Sequence, residues 1–83
     1  MKVLKIYSRT CGPYKVLESN LQLAGIPHES IDVQSIRGED IASKYEIRTV
    51  PTLILVDDEG NVVKRHSGLL GVQELKEFCN EDS

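Results

Sequence analysis

Thr52-Leu53-Ile54-Leu55-Val56, followed by Asp57-Asp58-Glu59-Gly60-Asn61 and Val62-Val63-Lys64-Arg65-His66, is the stretch that decides the architecture. An apolar run with no polar alternation marks a strand covered on both faces. The polar segment after it, with Gly60 available for positive φ, reads as a hairpin turn. Val62 to His66 is then the returning strand. Upstream, Lys2 to Tyr7 alternates lysine with Val3, Leu4, Ile6 and Tyr7 and reads as a first strand. Ser8 to Pro13 breaks it, and Pro13 suits the first turn of a helix, where its missing N–H costs little. Val16, Leu17, Asn20, Leu21, Leu23 and Ala24 have helical spacing, which Gly25 and Pro27 end. Ile31 and Val33 place a second strand over His28 to Val33. Ile41 and Ala42 sit in a short helix from Gly38 to Lys44, with Tyr45 at its end. After a loop from Ser67 to Gly71, Val72, Leu75, Phe78 and Cys79 line one face of a last helix. The order is βαβαββα. Alternation that closes on a hairpin predicts an α/β fold with a four-stranded mixed sheet and three helices on its two faces.

The 83 residues predict a single domain over residues 1–83. Hydrophobic residues make up 40% and charged residues 28%, an ordinary globular balance. A net charge of −3 argues against a nucleic-acid or anionic-membrane partner bound through counterion release. No Trp and a single Phe are too few for a base-stacking platform. The first strand is too short and too charged for a signal peptide or membrane span, so a cytoplasmic, monomeric protein is expected. Two cysteines, Cys11 and Cys79, form no disulfide framework.

Cys11 carries the chemistry. It stands where a strand ends and a helix begins, where unpaired N–H groups and the helix dipole favour negative charge. Arg9 and Lys15 are candidate thiolate-stabilising residues beside it. The thiolate is the form that attacks a disulfide sulfur. Cys79 shares a helical face with Val72 and Leu75 and reads as a core thiol. His28 and His66 are isolated, neither cysteine has a neighbour at ligand spacing, and no glycine-rich phosphate loop occurs. Neither a metal nor any other cofactor is therefore expected.

Cys11-Gly12-Pro13-Tyr14-Lys15 resembles the thioredoxin active-site run Cys-Gly-Pro-Cys-Lys, with Tyr14 in place of the second cysteine. Ile31-Asp32-Val33 and Ala42 to Leu53 are similar to the thioredoxin segment leading into its cis-proline strand. Gly68 with Leu75-Lys76-Glu77-Phe78 resembles its glycine loop and last helix. The likeness covers nearly the whole chain, without the first strand and helix of a full thioredoxin. In that trimming and in Tyr7-Ser8-Arg9-Thr10 the chain looks more like a glutaredoxin. The resemblance implies a minimal thioredoxin-like fold and a thiol–disulfide oxidoreductase with Cys11 as nucleophile. It implies a cis Pro51 facing Cys11 across a groove, and a substrate site made by Gly12, Pro13, Tyr14, Val50, Pro51 and Gly68. There the Val50 backbone would pair with an extended segment and Gly68 would leave it room. The partners implied are a disulfide-containing protein or a small thiol such as glutathione, together with a reductase.

The departures are chemical. Tyr14 cannot resolve a mixed disulfide, so an external thiol would have to finish the cycle. The Trp before the cysteine is Thr10, and the buried acid six positions before it is Lys5. A buried Lys5 would have a lowered pKa, whereas an exposed one would add positive charge. A second reading is a non-catalytic binding module that keeps the groove and has lost turnover. A third, ranked last, is a monothiol glutaredoxin holding an iron–sulfur cluster. Against it, Gly68-Leu69-Leu70-Gly71 lacks adjacent glycines and Pro13-Tyr14 departs from that family's loop.

Overall fold

A computed structural model describes residues 1–10 and 14–79. The elements are β1 (Lys2–Tyr7), α1 (Tyr14–Leu23), β2 (Glu29–Asp32), α2 (Ile36–Lys44), β3 (Thr52–Val56), β4 (Val62–Ser67) and α3 (Val72–Cys79). The sheet runs β2-β1-β3-β4. β1 pairs with β2 in parallel, with Ile6 beside Ile31 and Tyr7 beside Asp32. It pairs with β3 antiparallel, with Lys5 beside Leu53 and Ile6 beside Thr52. The β3–β4 hairpin is antiparallel. This is the mixed four-stranded sheet and the element order expected from the sequence, the architecture of a minimal thioredoxin fold.

Side-chain alternation sends the two faces of the sheet to different helices. On one face Val3, Leu53 and Leu55 pack with Leu17 and Leu21 of α1, Leu75 of α3 and Leu70 just before it. On the other, Leu4, Ile6, Ile31, Ile54 and Val56 pack with Ile41 of α2 and with Tyr45 and Ile47. Every residue of β3 is buried, as an uninterrupted apolar strand requires.

The helix ends follow local hydrogen-bond chemistry. α1 closes in a Schellman motif: Ile26 N–H donates to Leu21 O, Gly25 N–H donates to Gln22 O, and Gly25 takes φ 70°. α2 closes the same way, Ile47 N–H donating to Ala42 O, but the left-handed position is held by Glu46 at φ 54°. The Arg65 guanidinium of β4 donates to the carbonyls of Tyr45 and Glu46 and so secures that end. α2 starts at Ile36, two residues before the expected Gly38, because the Ser35 hydroxyl caps it by accepting from Gly38 N–H at 2.9 Å. At α3 the Glu74 carboxylate accepts from Gly71 N–H at 3.1 Å, one half of a capping box.

Candidate functional site

The C-terminal end of β1, the start of α1 and the N-terminal end of β3 meet at one end of the sheet, because Ile6 lies beside Thr52 and Tyr14 stacks on Tyr7. Cys11, Gly12 and Pro13 lie outside the described residues. Thr10 and Tyr14 bracket them in the chain. Before them, the buried Ser8 hydroxyl and the Thr10 hydroxyl are 2.8 Å apart, and Thr10 N–H donates back to Ser8 Oγ at 3.3 Å. This local turn follows directly on Tyr7, the last ladder position of β1.

The Val50–Pro51 peptide is cis, as expected. Its loop is fastened twice: the Thr52 hydroxyl donates to Thr49 O, and Gly68 N–H donates to Pro51 O at 2.8 Å. Gly68 takes φ 97°, and among the described residues a Cβ added there would meet no atom within 4 Å. The backbone angle by itself favours glycine there. Pro51 is buried and Val50 partly exposed.

The flanking cations divide. Lys15 is exposed on α1, while Arg9 ion-pairs with Asp32 across the β1–β2 register, Nε to Oδ2 3.5 Å, with its side chain 74% exposed. Lys5 is fully buried, the first of the two alternatives for it. Its Nζ lies 3.6 Å from Glu18 Oε1 of α1 and 5.0 Å from the centre of the Tyr7 ring. Burial lowers its pKa, and the charge and hydrogen bond of Glu18 oppose that shift. Tyr14 is half-buried, its ring 5.0 Å from that of Tyr7 with the planes 28° apart, so it packs against the strand. Sequence reasoning missed this stack and the Asp32 partner of Arg9. The available signal was the alternation that puts Lys5 and Tyr7 on one face of β1.

Cys79 ends α3, partly buried against the α1–α3 core, where desolvation raises its thiol pKa. Among the described residues no three His, Cys, Asp or Glu side chains gather in a metal-binding group. No helix among them is long and apolar enough to cross a membrane.

The Thioredoxin family model matches residues 1–81. The chain belongs to the thioredoxin family. It is 30% identical over 81 residues to the SPbeta prophage-derived thioredoxin-like protein YosR of Bacillus subtilis (strain 168), covering 98% of each chain. It is 31% identical over 79 residues to a thioredoxin of Mycoplasmoides gallisepticum, covering 92% of this chain and 78% of that one. An uncharacterized thioredoxin-like protein from Clostridium perfringens superposes with a TM-score of 0.85 at 21% identity, over 95% of this chain and 68% of that one, a likeness of fold alone. Thioredoxin-family membership carries a thioredoxin-like redox function in general terms, and proteins of the family act on disulfide-containing protein substrates.

Proposed function

We propose that this thioredoxin-family domain is a thiol–disulfide oxidoreductase with Cys11 as nucleophile and no resolving thiol. The observation that carries the reading is the replacement of the second active-site cysteine by Tyr14, whose ring packs on Tyr7. In the first step the Cys11 thiolate attacks one sulfur of a substrate disulfide. A new S–S bond joins Cys11 to the substrate, the old one breaks, and the second substrate sulfur leaves as thiolate and takes a proton. Tyr14 offers no thiol to displace the substrate, and Cys79 is partly buried against the α1–α3 core. A small thiol such as glutathione attacks the Cys11 sulfur and releases the reduced substrate. A second equivalent frees the Cys11 thiolate and leaves as the oxidised dimer. The net reaction reduces one substrate disulfide and oxidises two external thiols; a reductase that recycles the small thiol would complete the cycle. Gly12, Pro13, Tyr14, Val50, Pro51 and Gly68 form the substrate site in this reading. An extended substrate strand would pair with the backbone of Val50, and Arg9 and Lys15 would favour the thiolate.

The test is site-resolved alkylation of Cys11 against pH, read by mass spectrometry, together with Cys11→Ser. An apparent thiol pKa well below the free value of about 8.5, and covalent capture of a protein disulfide that Cys11→Ser abolishes, are expected. Full-affinity partner retention by Cys11→Ser would instead identify a non-catalytic binding module for extended segments. An unperturbed thiol would remove the chemical basis of the oxidoreductase reading.

A further inference from the structure

The connection between β4 and α3 carries two glycines, Gly68 and Gly71, a composition that leaves a free chain many conformations. Three hydrogen bonds fix it. Gly68 N–H donates to Pro51 O at 2.8 Å, and Gly71 N–H donates to the Glu74 carboxylate at 3.1 Å. The third comes from α1: the Asn20 side-chain amide donates to Leu70 O at 3.0 Å, across 50 positions of sequence. Among the described residues no backbone N–H reaches the Leu70 carbonyl, so Asn20 supplies its partner. Asparagine is a poor choice for the interior of a ten-residue helix, where its side chain competes for backbone hydrogen bonds. Beside it, Leu17 and Leu21 are fully buried in the cluster that includes Leu70 and Leu75, and an apolar residue would extend that core. Helix propensity and core burial both argue for another residue at position 20, and the bond to the loop is what asparagine adds. The bonds from Asn20 and Gly68 flank Leu69, whose side chain is 47% exposed. Together they join α1, the loop and the cis-Pro51 segment into one frame.

We propose that Asn20 is a positioning residue for protein substrates. By holding Leu70 it keeps the Gly68–Leu70 segment in the conformation that an extended substrate strand meets beside Val50 and Pro51. The loop is then ordered before binding rather than at its expense. The inference rests on the reading of Val50, Pro51 and Gly68 as a substrate site, and adds to it a residue outside that set. It makes the site selective by substrate length: a disulfide too small to reach the loop gains nothing from the bond.

The experiment measures the second-order rate of mixed-disulfide formation, by mass spectrometry, with insulin and with hydroxyethyl disulfide. The proteins compared are the parent, Asn20→Ala and Asn20→Leu. Both variants lack the donor and both are better helix formers, and leucine keeps the branched shape. In both, the insulin rate is expected to fall about three- to tenfold, the worth of one hydrogen bond, while the rate with the small disulfide stays as in the parent. An unchanged insulin rate overturns the proposal. So does an equal loss on both disulfides, which a general disturbance of the fold would cause. A loss in Asn20→Ala that Asn20→Leu restores assigns the effect to packing and overturns it too. A parent that captures neither disulfide defeats the oxidoreductase reading and this inference with it. A parent that captures only the small disulfide, or variants that leave the ratio of the two rates unchanged, defeat this inference alone.

Discussion

In the proposed cycle Tyr14 is the residue on which turnover would depend. It would stand at the resolving position, and it packs on Tyr7, so its replacement tests chemistry and packing together. Tyr14→Cys is expected to reduce a protein disulfide repeatedly with a dithiol reductant, whereas the parent accumulates the mixed disulfide until glutathione is added. Non-reducing gels over a time course separate the two; equal turnover by both proteins would remove Tyr14 as the point where the cycle is interrupted. At the same scale, Glu46 holds a left-handed φ of 54° where a Schellman closure favours glycine. Glu46→Gly is predicted to stabilise the fold by about 0.5–1 kcal/mol, relief of the side-chain penalty outweighing the added freedom of the unfolded chain. The Arg65 bonds to the Tyr45 and Glu46 carbonyls use main-chain oxygens and survive the change. A lower denaturation midpoint would contradict this.

The elements show what could and could not be foreseen. β3 and its hairpin were legible because an uninterrupted apolar run and a glycine-bearing polar turn leave few alternatives. α1 and α3 were legible from helical spacing and from Gly25. The start of α2 was placed two residues late because Ile36 is exposed and adds nothing to an apolar face; Ser35, as a cap, was the overlooked signal. The Val50–Pro51 isomer was expected through family resemblance, whereas the Lys5–Glu18 pair and the Tyr7–Tyr14 stack depend on how α1 lies on β1, of which the alternation of β1 gives only the strand's half. Two predictions belong to these elements. A Cβ at Gly38 would overlap the Asp32 carbonyl, so Gly38→Ala should destabilise by about 1–3 kcal/mol despite alanine's better helix propensity, read as a lowered urea midpoint. On α1, Leu17→Ala should cost about 2–5 kcal/mol, while Leu23→Ala, at a position 73% exposed, should stay within about 0.5 kcal/mol. Similar midpoints for the two leucine variants would contradict the face assigned to α1.

For the whole molecule, Glu29 joins three elements. Its carboxylate on β2 meets Arg37 of α2 and, at 2.9 Å, the Lys2 ammonium of β1. The hydrogen bond from Arg37, then that from Lys2, hold its pKa down at about 2, against an ordinary 4.5. A depressed folded-state value means stability that is fully present above about pH 4.5 and is lost as pH falls toward 2. Stability measured by urea denaturation should decline across that window, and Glu29→Gln should flatten the decline; an unchanged slope would show that the acid sensitivity comes from elsewhere.

Because β1 lies between β2 and β3, both cores draw on residues from before and after the 46–49 connection: Val3, Leu17 and Leu21 with Leu53, Leu55 and Leu75 on one side, Leu4, Ile6 and Ile31 with Ile54 and Val56 on the other. Neither half can close a core alone. A backbone nick in that connection should therefore yield two unstructured peptides that regain helical and sheet signal only when mixed, which would make the domain a candidate for a two-piece complementation reporter.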